Sequence, residues 1–362
     1  MARRALVAAI TAALLLAGCG GGDSNDNGNA PARAQPLLGV TSGVLLEEGA
    51  PMASEVRAMK AAGVTALRAP FYWWTLQPAK GPPNFASTDP LVEAVSRAHI
   101  ELLPIALGTP AWAAKHPEKR NSPPAGTAAY AKFMTALIGR YGPSGSFWKE
   151  HPNVPKEPIR HWQLWNEPDH FHYWSDQPFF SDYVALARAA RRAIKAADPG
   201  AVVVMSGFAD RSWDSIAGVY RAGGRGVFDA VAIHPYTFEV RNVLRIVEYA
   251  RRALDKAGDR DRPLWLTEVT WSSGKRPGVQ PAPFETTPAD QAARLSAALP
   301  LLIRERKRLG IDRIFWENWI SRDSNHGNPF DFSGLRVLEP NGTVRTKPAF
   351  AAFKRIALAQ QD

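Results

Sequence analysis

The chain has 362 residues, a hydrophobic content of 45% and a formal net charge of +10. That composition excludes wholesale disorder and provides core for one large α/β barrel or two ordinary domains. A single cysteine, Cys19, excludes an intrachain disulfide, and the positive charge would suit an acidic polysaccharide or an anionic envelope surface without requiring either.

The amino terminus reads as an export signal. Met1-Ala2-Arg3-Arg4 is basic, Ala5 to Ala17 is apolar, and the run closes on Leu16-Ala17-Gly18-Cys19. An apolar stretch this short fits the core of a signal peptide better than a membrane span. Leu-Ala-Gly-Cys resembles a bacterial lipobox, which implies that Cys19 is lipidated and becomes the mature amino terminus. Residues 1–18 are therefore expected to be a lipoprotein signal peptide. Residues 19–36, rich in Gly, Asn, Asp, Ala and Pro, are expected to be a flexible tether behind the lipid.

From residue 37 to residue 362 apolar strand runs alternate with amphipathic helices. Leu37 to Thr41 reads as a strand, followed by a helix around Ala53 to Ala62. Val64 to Ala69 and Glu101 to Leu107 are the next strands, with helices around Pro90 to Ala98 and Thr127 to Tyr141. A fourth strand leads into Glu167 and is followed by a helix from Asp182 to Ala197. Ala201 to Ser206, Phe228 to Ile233, Pro263 to Glu268 and Asp312 to Trp316 complete the strands. Their helices lie near Ile216 to Ala222, Arg241 to Ala257, Ala289 to Leu309 and Pro348 to Ala359, and Pro300 should kink or divide the third of these. Asn341-Gly342 marks a hairpin on the rim. Eight strand–helix pairs predict a single (β/α)8 TIM barrel. The competing open doubly wound sheet would place a glycine-rich phosphate turn after the first strand, and none is present.

The stretch Arg160-His161-Trp162-Gln163-Leu164-Trp165-Asn166-Glu167-Pro168-Asp169 carries the strongest functional signal. It alternates like a buried strand, and Pro168 should stop the strand at or near Glu167. A second strand ends on Thr267-Glu268. Active sites of parallel barrels sit at the carboxyl ends of the strands. Two carboxylates there match glycoside hydrolysis, in which one protonates the leaving oxygen and the other attacks the sugar or activates water.

Asn166-Glu167-Pro168 after the fourth strand and Thr267-Glu268 after the seventh resemble glycoside hydrolase clan A. The resemblance implies that Glu167 is the acid/base and Glu268 the nucleophile of a retaining O-glycosidase. It extends to Arg68, near the nucleophile; to His234-Pro235-Tyr236, whose His234 and Tyr236 line the site; and to Trp316 beneath the sugar. Thr109-Pro110-Ala111-Trp112 and the carboxyl-terminal stretch resemble family 39 most, with family 5 next. Asn166 would contact a sugar 2-hydroxyl, and Arg68 would keep Glu268 ionised.

Aromatic residues in the loops, among them Trp73, Trp74, Trp112, Phe171, His172, Tyr173 and Trp174, would wall a sugar cleft. Glu317 reads as a third mouth carboxylate or as a salt-bridge partner. His170-x-His172 beside Asp169 is too little for a metal site, so no metal or other cofactor is expected. The expected partners are a carbohydrate substrate and, through the lipid anchor, the membrane of the cell envelope; nucleic acid is not expected. The rival reading is a non-catalytic carbohydrate-binding lipoprotein on the same barrel, which would have no need of both glutamates. Cys19→Ala should release the protein from the membrane fraction. Mass spectrometry of a mature chain that starts elsewhere and carries no acyl mass would refute the anchor.

Overall fold

Eight parallel strands line up as β5-β4-β3-β2-β1-β8-β7-β6 in one sheet. They are β1 (Leu38–Thr41), β2 (Ala66–Tyr72), β3 (Glu101–Leu107), β4 (His161–Leu164), β5 (Val202–Val204), β6 (Val231–Ile233), β7 (Leu264–Val269) and β8 (Ile311–Glu317). Isolated parallel bridges, Val204 with Ala230 and Phe208 with Ile233, join the two outer strands and close the sheet on itself. The helices following these strands are α1 (Met52–Ala61), α2 (Asp89–Ala98), α3 (Thr127–Tyr141), α4 (Phe180–Ala197), α5 (Ser212–Val219), α6 (Val240–Lys256), α7 (Pro288–Leu309) and α8 (Pro348–Leu358). This is the expected (β/α)8 barrel. The computed structural model of the protein describes residues 38–47, 49–209, 211–276 and 284–361. The expected signal peptide, Cys19 and the tether lie outside the described residues.

The strands are apolar because both of their faces are covered. Every residue of β1 and of β7 is buried. Small residues inside the barrel, Ala66, Ala230 and Ala232, leave room for Trp265 and Phe315. Gly39 belongs to the same layer. A Cβ there would lie 2.6 Å from the Phe315 ring and 2.8 Å from the carbonyl oxygen of Ala66.

The amino-terminal end of the barrel is plugged by charge. Glu101 and His161 are the first residues of β3 and β4. The Arg313 guanidinium from β8 donates to Glu101 and lies 4.4 Å over the Trp265 ring. His161 Nδ1 is 2.8 Å from the same Glu101 carboxylate. Burial would raise the Glu101 pKa, but His161 and Arg313 together bring it below the ordinary range.

Three sequence expectations are corrected. β4 stops at Leu164 rather than at Glu167, because Trp165 (φ 70°) and Glu167 (φ 39°) adopt left-handed backbone conformations. β2 continues to Tyr72, where it still pairs with Leu107 of β3. Pro300 does not divide α7, which runs unbroken from Pro288 to Leu309. Leu295, Ala298, Leu299 and Leu302 bury one side of α7 around the proline, and that packing outweighs the lost N–H bond. On the rim, β9 (Ile320–Ser321) pairs with β10 (Arg336–Leu338), which pairs antiparallel with β11 (Val344–Thr346). The Asn341-Gly342 hairpin is thus present, with Gly342 at φ 82° as the turn requires.

Gly39→Val forces branched carbons onto a backbone oxygen and an aromatic ring inside the closed barrel. It should destabilise the protein by about 1–3 kcal/mol or more. A wild-type denaturant midpoint would contradict this packing.

Candidate active site

The site begins with a buried arginine. Arg68 sits in β2 with none of its surface exposed. Its Nε donates to Gln163 Oε1 at 2.7 Å, its Nη1 to Glu268 Oε1 at 2.7 Å and its Nη2 to Asn166 Oδ1 at 2.8 Å. One guanidinium thus ties β2 to β4, to the turn after β4 and to β7. Gln163 came with a sequence signal, since it is the one polar residue between Trp162 and Leu164, but the sequence does not say whom it meets.

The turn after β4 aims the first carboxylate. With Trp165 and Glu167 both at positive φ, strand alternation breaks and the chain folds over the top of the barrel. Such conformations are costly for non-glycine residues and persist only when neighbours hold them. Here Trp165 N–H donates to Ala106 O and Glu167 N–H to Gly207 O, at 2.9 and 3.1 Å. Asn166 accepts from Arg68 through Oδ1 and faces the cavity above.

The two glutamates meet across His234. Its Nδ1 lies 2.6 Å from Glu167 Oε1, and its Nε2 lies 3.0 Å from Thr267 Oγ1 and 3.5 Å from Glu268 Oε1. The imidazole is entirely buried. His234 therefore positions both carboxylates from behind and does not line the open site. Gly207 makes this possible, because a Cβ there would fall 1.8 Å from His234 Nε2. No sequence signal singles out Gly207 or the supporting Thr267.

The glutamates differ in environment. The Tyr236 hydroxyl donates to Glu268 Oε2 while Arg68 donates to Oε1. Burial would raise the Glu268 pKa, but His234, Arg68 and the Tyr236 hydrogen bond outweigh it and hold the carboxylate ionised below its usual range. Glu167 has neither the arginine nor the tyrosine. One oxygen of Glu167 and one of Glu268 lie within 4.8 Å of each other and of a His234 nitrogen. Three such groups could hold a cation, yet His234 and Glu268 already spend their donors and acceptors on Thr267, Arg68 and Tyr236, and the guanidinium opposes a second positive charge.

Above the carboxylates opens a cavity of about 280 Å³, lined by Thr41, Arg68, Tyr72, Asn166, Glu268 and Glu317 among others. Glu317, the third mouth carboxylate, ends β8 with one oxygen fully enclosed and unbonded. Burial, and then the charge of Glu268, push its pKa well above the ordinary value.

The tryptophans fall elsewhere than expected. Trp174 is 1% exposed, its ring edge-on to Trp165 at 5.1 Å, so it is core beneath the loop and not a cleft wall. Trp316 is also 1% exposed and donates its indole N–H to Ser333 O, which leaves it packing below the site. Trp112 is half-buried, bonded to Gln77 O and edge-on to Trp73, and lines neither cavity described in this section. Loop aromatics that do reach open space include Tyr72, Trp74, His172 and Tyr173, around a neighbouring cavity of about 380 Å³, and the exposed Phe171. Length and polarity do not tell a buried loop tryptophan from an exposed one, so the sequence could not separate these.

No protein-family model matches the sequence, and no curated protein matches it. Solved structures do. A family 39 glycoside hydrolase from Bacteroides cellulosilyticus superposes over 91% of this chain with a TM-score of 0.64 and 18% identity. The fold is shared with glycoside hydrolases. A monomeric β-xylosidase from Caulobacter crescentus matches at TM-score 0.61 and 19% identity over 89% of this chain, and an α-L-arabinofuranosidase from Thermotoga maritima at 0.64 and 16% over 90%. The chain spans 65%, 69% and 70% of those three proteins' lengths, respectively.

A carboxyl whose pKa is raised on folding stabilises fully below its unfolded pKa, and that contribution is lost as pH rises through the folded value. Glu317→Gln removes the loss. In urea unfolding the variant should gain on the parent as pH rises above the ordinary carboxylate range. A stability difference independent of pH would contradict the elevated Glu317.

Proposed function

We propose that this protein is a retaining glycoside hydrolase in which Glu268 is the nucleophile and Glu167 the acid/base. The observation that carries the proposal is the short separation of the two glutamates, with oxygens within 4.8 Å. Double displacement uses carboxyl groups about 5–5.5 Å apart, whereas inversion needs roughly 6.5–9.5 Å to admit a water between them. The unequal environments support the assignment of roles. Arg68 and Tyr236 hold Glu268 as an anion, as attack on an anomeric carbon demands. Among the described residues the Glu167 carboxylate bonds to His234 and to neither Arg68 nor Tyr236.

In this reading Glu268 Oε2 or Oε1 displaces the leaving oxygen as Glu167 delivers a proton to it, and a glycosyl–Glu268 ester forms. Glu167, now ionised, takes a proton from water, which attacks the same carbon and frees Glu268. Asn166, held through Oδ1 by Arg68, presents its amide hydrogens to the sugar at the same face. The fold neighbours include a β-xylosidase and an α-L-arabinofuranosidase, which supports a glycan as substrate. The Leu16-Ala17-Gly18-Cys19 motif supports a lipid-anchored envelope location.

Glu268→Ala should abolish hydrolysis of every substrate. Glu167→Ala should lower the rate on poor leaving groups about 10²–10⁴-fold, the usual worth of general acid catalysis. With activated aryl glycosides it should stall after the first step, and added azide should restore turnover. Proton NMR of the first anomer released decides between mechanisms: inversion, or near-normal turnover by Glu268→Ala, would overturn the assignment. The pH profile should be bell-shaped, with limbs belonging to the interacting pair.

A further inference from the structure

The cavity of about 380 Å³ beside the carboxylates differs from the catalytic cavity in charge. It is lined by Tyr72, Trp74, Leu107, Gly108, Arg120, Asn121, Trp165, His172 and Tyr173, with no carboxylate among them. The catalytic cavity carries Glu47, Glu268, Glu317 and Asp331 against Arg68. The two adjoin, because Tyr72, Leu107 and Tyr173 line both. Arg120 is the charged side chain in the lining of the second cavity.

The second cavity has a built floor. Tyr72 and Trp74 stack with centroids 4.9 Å apart and planes within 10°. Trp74 N–H donates to Gly108 O at 3.0 Å, and the ring lies so close to Gly108 that a Cβ there would meet it at 2.4 Å. Gly108 also has φ 83°, which glycine alone adopts freely. The Arg120 guanidinium lies 4.9 Å over Trp74. Among the described residues it has no carboxylate partner, and its loop is fixed: Asn121 donates to Phe171 O at 2.6 Å and accepts from Ser175 N–H at 2.9 Å. A held cation on an aromatic strip, beside an exposed Tyr72 ring, is suited to a flat ring bearing a carboxylate.

We propose that this cavity is a subsite for an anionic sugar unit, in which the exposed Tyr72 ring, backed by Trp74, stacks the sugar and Arg120 receives the carboxylate. The proposal rests on the hydrolase reading for its substrate class but not for its test, which is binding.

Isothermal titration of the full-length protein with tetragalacturonate, tetramannuronate and a hyaluronan tetrasaccharide, each against its methyl ester, measures the charge preference alone. At least one acid should bind about tenfold or more tighter than its ester at low salt, and the margin should shrink as salt is raised. Arg120→Ala should erase the margin, while Arg120→Lys keeps part of it. Gly108→Ala, which displaces Trp74 without altering charge, should weaken acid and ester alike. Equal affinity for acid and ester in all three pairs would overturn the proposal, as would a margin that survives Arg120→Ala. A protein with the acid preference but no Glu268-dependent hydrolysis would refute the enzyme reading and leave the subsite standing; the converse result would refute only the subsite.

Discussion

The mouth of this barrel is organised around one buried cation. Removing a guanidinium from water is expensive unless each of its faces is answered by hydrogen bonds. Arg68 meets that condition with Gln163, Asn166 and Glu268. Because those acceptors come from β4, from the turn above it and from β7, the charge cannot be satisfied unless the strands are in register. The same contacts fix the ionisation of Glu268. Stability and chemistry are therefore drawn from one set of bonds, and a neutral residue at position 68 would leave a buried carboxylate uncompensated.

Around that hub the two glutamates are made unequal by what lies behind them. Glu268 is enclosed by Arg68, Tyr236 and His234 and is a fixed anion. Glu167 stands on a left-handed turn, held by Gly207 O and by His234. Gly207 leaves the only room in which the imidazole can bridge both. Glu317 adds a third carboxyl whose proton is retained by the field of Glu268 and by its own enclosure. Glu268 and Glu317 thus coexist in one cavity because burial and neighbouring charge push them in opposite directions.

Much of this was legible in the residues. The alternating strands and their helices declare a parallel barrel, since a strand buried on both faces must be apolar throughout. Asn166, Glu167 and Glu268 were readable as strand-end polar groups in otherwise apolar runs, Arg68 and Tyr236 through the resemblance to clan A, and the structure brings them together. What stayed illegible depends on tertiary placement. Trp174 and Trp316 have the side chain of a sugar platform but lie under the surface. His234 is on the right strand end, yet its role follows from the ring's lying behind the carboxylates and not above them. Gly207 and Gly108 matter through atoms that neither of them carries. Pro300 was misleading because helix packing outweighed a local preference.

The plug of Arg313, Glu101, His161 and Trp265 fills the far end of the barrel, so substrate and water reach the site from the mouth. In the proposed double displacement the departing alcohol occupies the path by which water would enter, so the ester on Glu268 is sheltered until the first product has gone. A second sugar alcohol arriving before water would find the same ester waiting. The sealed floor therefore bears on whether the glycosyl unit ends on water or on another sugar, since both compete for one vestibule.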